Sequence, residues 1–169
     1  MRRRTRTNLF LLAMVTLLGV AVFAEMRRER ALARDPLTTM DPERIRSLAV
    51  TCQGCTARRF EKVDGHWMMR EPKEQQANDD AVARLAAIVR APVRYRRPAD
   101  EMDATKLGLE PAVATLTVDG TVLKFGTTDA IHNDRYVEAG GTIALVPDRF
   151  SVLLFASPES ETAQTPPPQ

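Results

Sequence analysis

AVATLTVDGTVLKF, residues 112–125, is the stretch whose reading decides the fold. Apolar and polar side chains alternate on either side of Asp119-Gly120, the period of a strand. Asp-Gly between two such runs signals a two-residue hairpin turn. Ala112, Leu116 and Val118 are expected to face Phe125, Leu123 and Thr121, with Ala114 on the same side. Thr115, Thr117, Val122 and Lys124 take the opposite face.

The same signal recurs on both sides. Upstream, Leu48, Val50 and Cys52 alternate, Gln53-Gly54 reads as a turn, and a second strand runs from Thr56 to Val63. Asp64-Gly65 then turns the chain into His66-Trp67-Met68-Met69, which sets Val63 opposite His66, Lys62 opposite Trp67 and Phe60 opposite Met69. Phe60, Trp67 and Met69 share the core face, with the Lys62 stem over the only tryptophan. Downstream, Gly140-Gly141 joins Arg135–Glu138 to Thr142–Val146. One helix is predicted from about Asn78 to Arg90, capped by Asn78 or Asp79, with Val82, Leu85, Ala86 and Val89 on one apolar face. Pro92 breaks it, Val93–Pro98 reads as a short edge strand, and Asp100–Lys106 as one helical turn before Gly108. Pro147-Asp148 opens a last helix carrying Phe150, Leu153 and Leu154. The expected class is α+β: antiparallel hairpins, one central helix and a short C-terminal helix, preceded by one N-terminal transmembrane helix.

That N-terminal helix rests on LFLLAMVTLLGVAVFA, from Leu9 to Ala24, sixteen residues without charge or proline. At 1.5 Å per residue it reaches about 24 Å, and flanking arginines extend the reach toward headgroups. Arg2, Arg3, Arg4 and Arg6 precede it, placing the N-terminus inside; the arginines that follow tie the count. A signal peptide cleaved after Ala24 is the alternative, with Val22 and Ala24 at the positions a peptidase reads. The organisation expected is a basic cytoplasmic N-terminus over residues 1–8, a span or uncleaved anchor over 9–24, and a charged linker over 25–44. An extracytoplasmic domain follows over 45–156, then a disordered Pro-rich tail over 157–169. Residues 1–34 hold eight arginines against two glutamates, whereas the rest holds sixteen basic against twenty acidic groups. The basic excess belongs to the first segment, which excludes nucleic acid as the expected partner.

Several local patterns, in order, resemble the family known as domain of unknown function 4340. They are Gly65-His66-Trp67-Met68-Met69-Arg70-Glu71-Pro72, the Asn78–Val89 helix, Leu107-Gly108-Leu109-Glu110-Pro111, Leu123-Lys124-Phe125-Gly126, Arg135-Tyr136-Val137 and Ile143–Val146. The resemblance covers about residues 40–155 and implies one copy of that domain behind a membrane helix. It also implies an extracytoplasmic protein, some members accompanying ABC-type transport systems linked to gliding motility. It brings no catalytic residues, and Cys52 and Cys55 lie outside its pattern.

Cys52-Gln53-Gly54-Cys55 is the sharpest local feature. A strand-and-turn context favours a structural disulfide, because redox-active pairs place the first thiol at a helix N-terminus; free thiols and a redox-active pair are the alternatives. Asp129, His132 and Asp134 share a polar loop and are weak metal candidates, with loop capping the plainer reading. His66 offers no evident partner, and Ser151 and Ser157 lack a nucleophile's surroundings. Arg90, Arg94, Tyr95, Arg96 and Arg97 form a basic patch able to meet headgroups or an acidic partner, or simply to guard an edge strand.

No catalytic residue, metal or cofactor is assigned. The expected function is a non-enzymatic interaction module, held in a bacterial inner membrane through Leu9–Ala24 as a single pass with its domain in the periplasm. Its partner is an envelope protein, as in an accessory to an ABC-type transport system. The alternatives are a thiol–disulfide protein using Cys52 and Cys55, and a small-ligand or lipid-binding domain.

Overall fold

Alternating burial organises the chain from Ser47 onward. In the computed structural model, which describes residues 11–24, 27 and 35–163, the alternating stretches form one nine-stranded antiparallel sheet. Its strands are β1 (Ser47–Cys52), β2 (Arg58–Val63), β3 (His66–Glu71), β4 (Gln75–Gln76), β5 (Tyr95–Pro98), β6 (Ala114–Val118), β7 (Thr121–Thr128), β8 (Asp134–Ala139) and β9 (Thr142–Pro147). The order across the sheet is β4-β3-β2-β1-β6-β7-β8-β9-β5. The chain divides into two units, Met1–Asp35 and Pro36–Gln169.

The hairpin registers follow from their turns. Val63 pairs with His66, Lys62 with Trp67 and Phe60 with Met69, and Lys62 Nζ lies 5.7 Å from the centre of the Trp67 ring. In the Asp119-Gly120 hairpin, Leu116 meets Leu123 and Val118 meets Thr121. Ala114, rather than Ala112, faces Phe125; Ala112 instead bridges to Leu109 in the preceding loop.

One face of the sheet is the core. Leu48, Val50, Phe60, Trp67, Met69, Leu116, Leu123, Phe125, Val137 and Val146 are buried on it. The helix α2 (Asp79–Ala86) is capped by Asn78, whose side chain accepts from the Ala81 N–H, and continues as a 3₁₀ turn, Ala87–Arg90. It presents Val82, Leu85, Ala86 and Val89 to that core. Burying Val82 or Leu85 contributes about 1.5–3 kcal/mol each. On the other face the loop between β5 and β6 lies across β7. A Cβ on Gly126 would sit 2.2 Å from the Leu107 carbonyl oxygen, so only glycine admits the loop there.

Four expectations need correction. The class is mostly β, not α+β: the hairpins are strips of one sheet, joined where β1 pairs with β6. The helices are small: α3 (Ser151–Leu154) is four residues, and the turn expected at Asp100–Lys106 is a 3₁₀ turn at Ala99–Glu101 followed by one turn in which the Leu107 N–H donates to the Asp103 carbonyl at 3.2 Å. The transmembrane helix is not found. Of the first helix, α1, the structure describes residues 11–24, about 21 Å at 1.5 Å per residue against a hydrocarbon core of ~30 Å. Among the described residues no helix is long and apolar enough to cross a membrane.

Both limits of the domain also move outward. Leu37 is buried, and the Thr38 N–H donates to the Val89 carbonyl, so the folded unit takes in residues assigned to a linker. Residues 157–163, expected to be disordered, are fixed: Pro158–Glu161 form a 3₁₀ turn with Pro158 and Glu161 buried. The basic N-terminus at residues 1–8, the first two residues of the expected span (9–10), linker residues 25–26 and 28–34, and the end of the tail at 164–169 lie outside the described residues.

Candidate functional site at the loop end of the sheet

The three two-residue turns, Asp64-Gly65, Asp119-Gly120 and Gly140-Gly141, all lie at one end of the sheet. The other end gathers the Cys52–Cys55 turn, the loop from β7 to β8, and α3. Most candidate residues converge on this second end.

Cys52 and Cys55 form a disulfide with a Cα–Cα separation of 5.4 Å. Cys52 ends β1, and its sulfur lies 3.7 Å from the Leu154 carbonyl oxygen. The pair therefore closes a turn between two strands, away from any helix N-terminus. Three residues on, Arg58 points inward beside Val50, with 1% of its surface exposed. Its Nη2 donates to the carbonyls of Leu153 and Leu154, and its Nη1 stands 2.6 Å from Glu161 Oε1. The disulfide and the buried guanidinium thus grip the same C-terminal segment. Burial pushes the Glu161 carboxyl above the ordinary range, and Arg58 opposes that shift.

A second clamp joins β8 to α3. Arg135 donates through Nη2 to Asp148 at 2.8 Å and to Ser151 Oγ at 2.9 Å, and through Nη1 to the Gly126 carbonyl. Ser151 Oγ donates to Asp148 Oδ2 at 2.6 Å. The Ser151 hydroxyl is thereby committed to the Asp148 carboxylate, which also pairs with the Arg135 guanidinium.

Asp129, His132 and Asp134 are brought together, with one ligand atom from each lying within 4.8 Å of the others. The Asp129 carboxylate is filled by the loop's own N–H groups, and Asp134 is held in an ion pair, its buried Oδ2 accepting no hydrogen bond. Asp129 accepts from the N–H groups of Ile131, His132 and Asp134, at 3.2, 3.1 and 2.7 Å. Loss of water pushes its carboxyl up, and those three donors outweigh this and hold it below the ordinary range. Asp134 Oδ2 is 2.8 Å from Arg94 Nε. This is a loop closed by its own side chains.

Three arginines of the basic patch have structural partners. Arg94 holds Asp134, Arg96 donates to the Pro36 and Leu37 carbonyls, and Arg97 meets Glu101 at 3.2 Å with its guanidinium over the Tyr95 ring. β5 is an edge strand of the sheet. At the turn end, His66 does have a partner: its Nδ1 is 2.8 Å from Asp79 Oδ2, while Asp79 Oδ1 accepts from the Trp67 N–H. The N–H of Trp67, then the His66 ring, hold the Asp79 carboxyl below its ordinary value.

Three features escaped the sequence. Arg58 shares the inward parity of Phe60, so its position called for a buried anion, but nothing local named Glu161. Arg135 and Asp148 are paired through the β8–β9 register. Asp79 looked like helix capping alone.

A cleft of about 560 Å³ lies between Pro42, Glu43, Lys62, Trp67, Ala83 and Ala86. Its rim carries Glu43 and Lys62, and its tryptophan is 4% exposed. Apolar side chains stand in solvent at the loop end instead: Ile131 is 83% and Val152 82% exposed, with Phe155 half-buried. Comparison with known protein families, with curated proteins and with solved structures finds no match for the chain.

Proposed function

We propose that this chain is a non-catalytic interaction module that works outside the cytoplasm and meets a partner protein through the loop end of its sheet. The observation that carries the reading is the contrast there between engaged polar groups and unengaged apolar ones. Asp129, Asp134, Ser151, Arg94 and Arg135 are spent on one another, while Ile131 and Val152 stand almost fully in solvent. Solvated aliphatic side chains on an otherwise fastened surface are the groups that association buries.

Extracytoplasmic placement draws on two features. The disulfide belongs to an oxidising compartment. The basic start and apolar residues 9–24 have the composition of an export signal. The order of motifs that resembles domain of unknown function 4340 points to an accessory of an envelope transport system.

A crosslinking pull-down from intact cells tests the reading, with the wild-type chain, Ile131→Glu with Val152→Glu, and Cys52→Ser with Cys55→Ser as baits. The wild type and the cysteine variant are expected to capture the same protein, and the glutamate variant to lose it. A second reading, a thiol–disulfide protein, is favoured by the formed Cys52–Cys55 bond with a guanidinium three residues on. Capture abolished by the serine variant, together with disulfide reductase activity of the purified chain, would replace the first reading by the second.

A further inference from the structure

The segment from Ser157 to Ala163 is held as a ligand is held. It contributes no strand of its own, yet it lies along the β4 edge of the sheet. The Asn78 N–H donates to the Glu161 carbonyl at 2.8 Å, the Ala163 N–H donates to the Gln76 carbonyl at 3.1 Å, and Ala77 and Thr162 form an antiparallel bridge. Backbone pairing of this kind is how an added peptide joins a sheet edge. Side-chain anchoring is added to it: Pro158 and Glu161 are buried three residues apart, and Glu161 reaches the buried Arg58.

The fit of that anchor is incomplete. Arg58 offers a planar fork suited to both oxygens of a carboxylate. Glu161 meets it through Oε1 alone, and Glu161 Oε2 and Arg58 Nε are buried without a hydrogen-bond partner. Burial raises the Glu161 carboxyl, consistent with a charge that is incompletely compensated. Among the described residues no strand follows the segment, so detaching it would break no strand-to-strand pairing.

We propose that this groove is a peptide-binding site for a partner protein, and that residues 157–163 occupy it as a built-in competitor. The ligand it fits is a segment with a proline three residues before a carboxylate, followed by two residues extended along Gln76–Asn78. Arg58 reads the carboxylate, the pocket around Pro158 reads the proline, and the β4 edge supplies backbone hydrogen bonds. The inference rests on the interaction-module reading and names the chemistry of one partner segment.

The probe is a fluorescent peptide copying residues 157–163, SPESETA, titrated into full-length chains and followed by anisotropy. In Glu161→Ala the competitor loses its anchor while Arg58 remains, so the probe is expected to bind at least tenfold tighter than to the wild type. The same peptide carrying Glu161→Gln is expected to bind at least tenfold more weakly, and Arg58→Met to bind neither. A folded Glu161→Ala chain that binds the probe no better than the wild type overturns the proposal. A second measurement needs no variant: hydrogen exchange of the wild-type chain with saturating unlabelled SPESETA. The Ala163 amide is expected to lose protection as the native segment is displaced, while the Asn78 amide stays protected by the incoming peptide. Unchanged protection at Ala163 would also overturn it. Neither measurement reads Ile131 or Val152, so failure here with partner capture intact removes only the groove, and the reverse result removes only the loop-end surface.

Discussion

At one end of the sheet, Asp64-Gly65, Asp119-Gly120 and Gly140-Gly141 close three hairpins in two residues each. At the other end, the same strands are held by the Cys52–Cys55 bond, the Arg58–Glu161 pair and the Arg135–Asp148–Ser151 clamp. At the turn end each hairpin is closed by its own two-residue turn, and the side-chain bonds that support the turns are exposed. Gly120 takes φ +84, a conformation that glycine adopts without cost, and the Asp119 carboxylate accepts from the Arg46 and Ser47 N–H groups. The loop end is secured by side-chain bonds in place of tight turns, and several of its charged groups, Arg58 and Glu161 among them, are buried. Exposed fastening fixes register at little desolvation cost, whereas buried charges stabilise only while both partners are present. The loop end is therefore where single changes should do most damage, and where the chain can present loops to a partner.

Arg58→Met should have the largest effect. It leaves Glu161 buried without its counter-charge, and a loss of about 3–5 kcal/mol is expected in urea unfolding. Adding Glu161→Leu should recover most of that loss. Failure to recover would mean that Arg58 acts through its contacts with the Leu153 and Leu154 carbonyls instead.

Cys52→Ser with Cys55→Ser comes next. The loop it opens is very short, so the chain-entropy estimate is about 2 kcal/mol. Urea midpoints of the oxidised chain and of this variant check it. A loss well above that figure would show that the bond positions Arg58 as well as closing its own turn.

At the turn end, Asp119→Ala should cost about 1.5–2 kcal/mol, because its exposed carboxylate accepts from the Arg46 and Ser47 N–H groups and from Ser47 Oγ. A cost equal to that of Arg58→Met would erase the distinction between the two ends.

The smallest effect is the acid dependence from Asp79. Its carboxyl titrates below the ordinary range because the Trp67 N–H and the His66 ring favour the charged form. A depressed value in the folded chain means stability that is present above the unfolded value of about 3.9 and lost as pH falls through the folded one. Asp79→Asn should flatten that part of the pH profile, and a carboxyl-detected NMR titration should place Asp79 below the chain's freely exposed carboxyls.

How much was legible in the sequence follows the same division. The Asp64-Gly65 register, including Lys62 over Trp67, could be read because a two-residue turn leaves one pairing that buries Phe60 and Met69 together. The α2 face could be read because Val82, Leu85 and Val89 keep helical spacing. The pairing of β1 with β6 could not, because no turn joins them and strand order across a sheet is not a local property. Without it the hairpins could not be joined into one sheet, and the two helices set the class as α+β. The segment after Ser157 was misread because its composition is polar; only two of its side chains, Pro158 and Glu161, are buried, and the second depends on Arg58. At the site, the CxxC spacing correctly marked a disulfide. The Asp129 loop was seen as a cluster, but only its backbone geometry showed the carboxylate already filled by three N–H donors.

The claim that the loop end meets the partner is tested most directly by placing a photo-crosslinking amino acid, one position at a time, at four exposed aliphatic sites in intact cells. Two sites, Ile131 and Val152, lie at the loop end; the other two, Val63 and Val122, lie at the turn end. A protein adduct of one size at positions 131 and 152, with none at 63 and 122, is the expected result. Adducts confined to positions 63 and 122, or equal at all four, would contradict it.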